Sequence, residues 1–365
     1  MTLSLYIARR FASSFLMMFS GFFAVLFLIE IVEQVRRFSG ANLTLAETAE
    51  LALLKVPESA YRILPMIMIL ASIALFLALA RSSELVVIRA AGRSALRMLA
   101  APLLTALAIG ALAVAVLNPI VAGTSKRYEV LSDRHRLGDG NVLSVTREGL
   151  WLRQGGEDGQ IVIHADRANL DGTTLFGVSF IAFAPESGPV ARIDAEMAEL
   201  TQGAWLLRGA KEWQFALGGN PEREAVQHPQ YRLPSDLTAD QIRDSFGTPS
   251  SIAIWDLPAF ITALERAGFS AQKHNVWLQM ELALPLLLAT MVLVGAGFTM
   301  RHARSGRSGT MVLLAVISGF AIFLLRNFAQ VLGENGQIPV LIAAWSPPVA
   351  AALLSLSLVL HLEDG

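Results

Sequence analysis

Four charged residues of the sequence stand within or beside long apolar runs, where an ionised side chain is costly. They are Glu30, Arg62, Glu281 and Arg326. Because hydrocarbon does not solvate charge, such a residue in a membrane faces a cavity, a partner or another charge. Arg62 has two alternatives, since it could snorkel to the interface or pair with Glu58 one helical turn away. The four form no recognisable catalytic set, so their chemistry is that of binding or pairing.

Motifs that would supply catalysis are missing. No GxxxxGK[ST], no HExxH and no GxSxG occurs in the sequence. The six histidines are scattered without ligand spacing, and there is no cysteine to act as a nucleophile or metal ligand. The sequence therefore predicts no catalytic residue, no metal site and no cofactor held by this chain.

The segment 81–94 carries charged and apolar residues at helical spacing. As a helix it places Leu85, Ile88 and Ala91 on one face and Glu84 elsewhere. Serines at its start can cap it, and a glycine near its end can stop it. Two interpretations are open: a coupling helix that sits in a groove of a separate ATPase, or an interfacial helix that only anchors the loop.

The chain that must position these charged and helix-forming residues is unusually apolar. Hydrophobic types make up 54% of the 365 residues and charged types 16%, whereas about 25% is charged in an ordinary soluble domain. Positions 120 to 275 hold 35 of the 59 charged residues. We therefore predict a membrane protein interrupted by one polar domain. The net charge of −1 gives no sign of a nucleic-acid partner.

Six apolar runs are long enough to cross about 30 Å of hydrocarbon. They are Phe11 to Val32, Ser59 to Ala80, Met98 to Asn118, Trp277 to Met300, Thr310 to Leu332 and Ile338 to Leu360. The predicted division of the chain is spans one to three in 1–119, a polar domain in 120–275 and spans four to six in 276–365.

The polar domain is predicted to be all-β. Short segments rich in β-forming residues, punctuated by Gly, Asp or Asn, are typical of antiparallel strands in a sandwich or jelly-roll. These segments begin at Gly149, Gln160, Leu175, Ala191 and Ala204. A short helix over about 256–267 follows, capped by Asp256 and ended by Gly268. The expected fold class is an α-helical membrane protein with six transmembrane helices and a jelly-roll-like domain between helices 3 and 4.

Basic residues predict the orientation, because they favour cytoplasmic loops. They lie in three segments: before span one, between spans two and three, and between spans four and five. These residues are Arg9 and Arg10, then Arg81, Arg89, Arg93 and Arg97, then Arg301, Arg304 and Arg307. Both termini are then cytoplasmic and the β domain lies outside. Arg36 and Arg37, at the outer end of span one, break this pattern and need another explanation.

At this point the sequence resembles a known family. The string Ser83-Glu-Leu-Val-Val-Ile-Arg-Ala-Ala-Gly-Arg-Ser94 is similar to the signature of the LptF/LptG permeases of the lipopolysaccharide export system. Supporting pieces are Leu54-Lys-Val-Pro57, Leu64-Pro65, Glu148-Gly-Leu-Trp151, Gly333-Glu-Asn-Gly-Gln-Ile-Pro339 and Ala343-Ala-Trp-Ser-Pro347. The resemblance covers essentially the whole chain. The pieces Glu148-Gly-Leu-Trp151 and Gly333-Glu-Asn-Gly-Gln-Ile-Pro339 favour the LptG branch over LptF.

The resemblance implies a non-catalytic permease subunit of an ABC transporter in the inner membrane of a Gram-negative bacterium. The implied partners are LptF, a dimer of the LptB ATPase and LptC, and ATP and Mg²⁺ are bound by the ATPase. The permease pair takes lipopolysaccharide from the outer leaflet and passes it to a periplasmic jelly-roll bridge. Spans one and five form the lateral gate, with the LptC helix near span one. An alternative is a mechanotransmission or scaffold protein that moves an outer domain without passing lipid.

The resemblance also implies three sets of site residues. The ATPase-coupling set is Ser83, Glu84, Leu85, Val86, Val87, Ile88, Arg89, Ala90, Ala91 and Gly92. The lipopolysaccharide-binding set is Glu30, Arg36, Arg37, Glu58, Arg62, Lys126, Arg127 and Arg326. The cavity-lining or gate set is Phe27, Ile31, Met66, Leu70, Phe320 and Leu324. Two members depart from the family pattern, because Glu30 and Glu58 stand where relatives often carry lysine; each would repel phosphate unless paired with Arg36, Arg62 or a divalent ion.

Overall fold

The computed structural model describes most of the chain. The described residues are 2–38, 44–90, 94–136, 142–146, 149–156, 159–169, 173–184, 188–215, 220–235, 237, 249–266, 270–300 and 308–364. The chain forms two compact units. The membrane unit comprises 1–131, 250–255 and 272–365, and the β unit comprises 132–249 and 256–271.

Helices make up the membrane unit, and six of them are long and apolar enough to span a membrane. The predicted six spans are therefore confirmed. The helices in chain order are α1 (Thr2–Arg37), α2 (Leu45–Arg62), α3 (Leu64–Arg81), α4 (Glu84–Ala90), α5 (Ala95–Leu112), a π-helical turn (Ala113–Leu117) that leads into α6 (Asn118–Arg136), α8 (Gln272–Thr299), α9 (Ser308–Glu334) and α10 (Val340–Asp364). The short α7 (Leu257–Arg266) belongs to the β unit.

The second span differs from the prediction. It was expected from Ser59, but α2 ends at Arg62 and α3 begins anew at Leu64. Pro65 lies in the first turn of α3, where its missing N–H costs nothing, and a proline there disfavours helical continuity through the preceding residues. A separate amphipathic helix, α2, therefore precedes the span. Thr44 begins it with a capping box closed by Glu47.

The core of the membrane unit is built around α3 and α8. Most of the apolar length of both helices is buried inside the unit, whereas that of α1 and α9 is largely exposed. Small residues let the inner helices approach closely. A Cβ added at Gly295 would lie 2.6 Å from Oγ of Ser72, and one at Gly110 would lie 2.5 Å from Cα of Pro285.

Within its described residues, the β unit contains one antiparallel sheet of seven strands in sequential order. The strands are β1 (Val142–Thr146), β2 (Gly149–Gly156), β3 (Gly159–Ala168), β4 (Thr174–Phe183), β5 (Pro189–Thr201), β6 (Ala204–Gln214) and β7 (Val226–Pro234). Phe180 and Trp205 pack edge to face in its buried layer, with ring centroids 6.1 Å apart. The predicted all-β insertion is confirmed, and its jelly-roll-like description is refined: the described strands form a meander in a single sheet.

Candidate functional site

Helix α4 lies at one end of the span bundle, and the side chains that sequence reasoning placed on its apolar face are buried. Leu85 and Ile88 are 5% and 7% exposed and belong to the main apolar cluster of the membrane unit. Val87 is 66% exposed and so presents an apolar side chain outward. Ala91 and Gly92, with the side chains of Val86 and Arg89, lie outside the described residues.

Glu84, the first residue of α4, is held by three side chains. Nη1 of Arg10 lies 2.8 Å from Oε1 and 3.0 Å from Oε2. Tyr6 donates from its hydroxyl to Oε2 at 3.2 Å, and Ser82 donates to Oε1 at 2.7 Å. The hydrogen bond from Arg10 is the main cause that lowers the pKa of Glu84, so the carboxylate is ionised near neutral pH. Sequence reasoning missed Arg10 and Tyr6 as partners, because no local pattern joins residues so far apart in the chain.

The opposite end of the bundle carries α2 and the end of α1, with a mixture of charges. The guanidinium of Arg36 pairs with Glu33 at 2.9 Å, and its side chain is 78% exposed. Arg37 donates to the hydroxyl of Tyr128 at 2.9 Å. Both arginines of the anomalous basic pair are therefore exposed, but Arg36 pairs within its own helix whereas Arg37 joins α1 to α6.

Glu58 on α2 gathers two cations. Its carboxylate accepts from Lys55 at 2.7 Å and from Arg62 at 3.2 Å, and Ser125 on α6 adds a longer contact of 3.3 Å. Arg62 was predicted about a turn inside span two. That placement is wrong, because the α2–α3 break leaves Arg62 at the end of α2, 71% exposed and paired with Glu58.

Glu30 has neutral partners. Ser59 donates to it at 2.8 Å, and the side chain of Gln34 lies 3.5 Å away. Gln34 is buried and accepts a hydrogen bond from Tyr128 at 3.1 Å. The expected pairing with Arg36 or Arg62 thus occurs at Glu58, while Glu30 joins α1 to α2 through hydroxyl and amide groups.

Basic groups remain exposed at this end of the bundle. Arg127 on α6 pairs with Glu50 at 3.2 Å and its side chain is 67% exposed, and Lys126 beside it is also exposed. Exposed ion pairs contribute about 0–1 kcal/mol each. An incoming phosphate can therefore compete for Arg36, Arg62 or Arg127 at small cost, because each guanidinium has free donors beyond its carboxylate contact.

The predicted cavity residues lie on three helices. Phe27 and Ile31 on α1 and Met66 and Leu70 on α3 are half-buried, and Phe320 and Leu324 on α9 are each 50% exposed. Both α1 and α9 pack against α3. Rows of exposed apolar side chains continue along α1 and α9, at Leu16, Met17, Val25, Leu28, Ile29, Val32, Leu313, Ile317, Leu325, Phe328 and Val331.

A buried polar node joins α8 to its neighbours. Glu281, one of the charged residues within or beside the apolar runs of the sequence, is 1% exposed. Its carboxylate accepts from the hydroxyl of Tyr61 and from the amide of Asn118 at 3.3 Å. Arg326 on α9 interacts electrostatically with both Glu281 and Tyr61. The structure thus brings Arg326 to a carboxylate inside the protein.

Asn118 also holds the segment that returns to the membrane unit. Its side-chain oxygen accepts from the N–H of Ile254 at 2.8 Å, and the indole of Trp255 donates to the carbonyl of Ala115 at 3.2 Å. Ala115 lies in the π-helical turn, which leaves a carbonyl free for such a bond. Nothing in the sequence marks this turn, so Asn118 and Trp255 were not found.

The fold and these clusters define a class. The chain is a multi-pass membrane protein with six spans, a short helix after the second span and an antiparallel β domain between the third and fourth. Residues 5–361 match the family model of the lipopolysaccharide export system permease LptF/LptG. The chain belongs to this family.

Relatives of known name agree with that family. The chain is 24% identical over 342 residues to the lipopolysaccharide export system permease protein LptG of Escherichia coli K12. The matched region covers 92% of this chain and 91% of that relative. The chain is 22% identical over 317 residues to LptG of Haemophilus influenzae, with 85% and 84% covered.

Proposed function

We propose that this chain is the LptG-type permease subunit that draws lipopolysaccharide from the outer leaflet of the inner membrane, driven by ATP hydrolysis in a separate LptB dimer. The observation that carries the proposal is the separation of two binding surfaces on one span bundle. One end presents α4 with its ordered Glu84 and exposed Val87. The other end presents exposed guanidinium groups beside apolar helix faces.

At the α4 end, the proposed partner is the ATPase. Leu85 and Ile88 are already buried within the membrane unit, so they anchor α4 rather than contact a partner. Among the described side chains of α4, Val87 and Ala90 are exposed and are left for a groove, together with the outer side of Glu84. We assign this end to the cytoplasm, with both termini there, and the bound ATP and Mg²⁺ belong to the LptB subunits.

At the other end, the proposed ligand is the phosphorylated head of lipopolysaccharide. Arg36, Arg62 and Arg127 each have solvent-exposed donors for phosphate oxygens. Below them, the apolar faces of α1 and α9 would form a wall for acyl chains, completed by LptF as the paired permease. This end is then periplasmic, as is the β unit, and LptC supplies the neighbouring helix.

The test begins with affinity purification of the tagged chain from native membranes in mild detergent. Glu84→Ala should reduce co-purifying LptB strongly, whereas Glu33→Ala, which removes an exposed carboxylate at the other end, should leave it unchanged. Replacing Arg36, Arg62 and Arg127 together with glutamate should reduce bound lipopolysaccharide and leave LptB in place. Undiminished LptB with Glu84→Ala, or undiminished lipid with the triple variant, contradicts the corresponding half of the proposal.

A scaffold that moves an outer domain without passing lipid predicts a different pattern. It would retain LptB dependence on Glu84 but would show no lipopolysaccharide in the purified complex and no effect of the arginine substitutions. The same two measurements therefore separate the permease from the scaffold.

A further inference from the structure

Helix α4 is joined to the start of α1 as well as to α3. The ion pair between Arg10 and Glu84 bridges the two helices, with both side chains about one-third exposed. Tyr6, one turn earlier on α1, donates to the same carboxylate and accepts from Arg10 at 2.7 Å. Two residues of α1 thus converge on the first residue of α4.

The start of α1 also contributes buried apolar side chains to the membrane unit. Ile7 and Phe11 are 1% and 0% exposed and belong to the same buried cluster as Leu85 and Ile88. Both helices therefore contribute side chains to the apolar cluster of the membrane unit, while the hydrogen bonds of Glu84 join them directly. Beyond Phe11, α1 rapidly becomes exposed, as Met17 at 71% illustrates.

The turn between α3 and α4 provides a second set of contacts that orient Glu84, in addition to those from α1. Ser83 adopts φ of 60°, a left-handed conformation that is uncommon for a residue with a side chain. Its carbonyl accepts the N–H of Val87, which starts the helix, while Ser82 reaches the Glu84 carboxylate. The turn therefore sets the direction of α4, and Arg10 supplies the cation that holds Glu84 against α1.

From this geometry we propose that Arg10, supported by Tyr6, is a positioning residue that links the coupling helix mechanically to span one. A displacement of α4 by the ATPase would then move the start of α1, and through that rigid helix its far end, where Phe27, Ile31 and Arg36 lie. This inference rests on the proposed function, since it presupposes that α4 receives the ATPase. Its consequence is that Arg10 serves transmission of motion and Glu84 serves both transmission and docking.

The test uses the complete purified transporter, reconstituted with lipopolysaccharide, and compares Arg10→Ala with Arg9→Ala. Arg9 is the adjacent, exposed arginine, so it controls for loss of positive charge at the membrane surface. Arg10→Ala should keep co-purifying LptB and ATP hydrolysis near the wild-type level. Lipopolysaccharide released per ATP hydrolysed should fall by about fivefold, the size expected from losing a contact of this kind. Arg10→Lys should recover part of the ratio, because lysine retains the charge but lacks the planar guanidinium that fixes the geometry of the pair.

The outcomes separate this inference from the proposed function. If Arg10→Ala releases as much lipid per ATP as Arg9→Ala while Glu84→Ala still loses LptB, the inference is wrong and the proposed function stands. Loss of LptB and of transport together in Arg10→Ala also overturns it, because Arg10 would then act in docking. If Arg10→Ala does not accumulate, Tyr6→Phe serves in its place, because it removes one donor to Glu84 with little change in shape. If the amount of lipid released per ATP is unchanged in both Tyr6→Phe and Arg10→Lys, the link between α4 and α1 is wrong. If neither Glu84→Ala nor Arg10→Ala has any effect, the proposed function itself fails.

Discussion

Two pairs of spans, α3 with α8 and α1 with α9, are similarly apolar in sequence but differ in what surrounds them. The inner pair is packed on most sides by other helices of the same chain, while the outer pair exposes long apolar rows. Apolar sequence reports only that a segment avoids water. It does not distinguish a neighbour within the chain from lipid, a partner subunit or a ligand.

Glycines among the inner helices mark places where neighbouring segments approach closely. Gly295 and Gly110 occur where another backbone or side chain approaches within the space of a methyl group. A Cβ added at Gly21 on α1 would meet no other atom within 4 Å. Gly319 on α9 approaches Ile69 of α3 closely, but most of the apolar length of α1 and α9 is exposed, which suits helices proposed to line a cavity that closes around lipid.

The largest expected difference between the pairs comes from truncating a leucine. Leu288→Ala on α8 should lower the free energy of unfolding by about 3 kcal/mol, because it leaves a cavity in close-packed surroundings. Leu288 is 0% exposed. Leu324→Ala on α9, where the side chain is 50% exposed, should change stability little but reduce lipid export. Thermal unfolding in detergent and export assays measure the two effects, and equal destabilisation by both variants would remove the distinction between the pairs.

A smaller effect is expected from adding one methyl group. Gly295→Ala should destabilise the chain by about 2 kcal/mol, because the new Cβ would press on Ser72, whose hydroxyl donates to the carbonyl of Val292. Gly21→Ala is the matched control and should be neutral or slightly stabilising, since alanine favours helix. The melting temperatures of the two purified variants give the comparison, and a tolerated Gly295→Ala would show that α3 and α8 can separate.

The smallest effect concerns the contact between α1 and α4, and it depends on pH. Arg10 holds the pKa of Glu84 below its ordinary value of 4.5. The pair therefore contributes stability above that value, and the contribution disappears as pH falls through the lowered pKa. The melting temperature of wild type should exceed that of Arg10→Ala at pH 7 by an amount that corresponds to less than about 1 kcal/mol. The difference should shrink as the pH falls below 4.5 and should disappear once Glu84 is protonated in the folded chain; a difference that stays constant as the pH falls would exclude the ionised Glu84 as its source.

Much of the fold follows from the sequence, because spans and strands are written in local patterns. Six apolar runs gave six spans, and the alternating segments after Gly149 gave strands. The break at Ile63 was missed because apolar residues continue across it and only Pro65 signals a new helix. Helical spacing placed Leu85 and Ile88 on a common face, and the structure buries both side chains within the membrane unit.

Contacts between distant segments were beyond the sequence. Arg10 was assigned only a role in orientation, although it holds Glu84, and the sequence named no partner for Glu281, which accepts hydrogen bonds from Tyr61 and Asn118. In each case the pairing depends on which helices become neighbours, and that depends on packing rather than on local composition. The assignment of lipid-binding residues remains a prediction for the same reason.

The central claim, that the exposed faces of α1 and α9 line a path for lipopolysaccharide, is tested most directly by site-specific photo-crosslinking in cells. A photoreactive residue replacing Leu324 or Phe27 should form adducts with lipopolysaccharide, and the adducts should decrease when the ATPase turns over. The same residue at Leu288, inside the helix bundle, should form none. Absence of lipopolysaccharide adducts at both Leu324 and Phe27, with only phospholipid captured there, would contradict the claim.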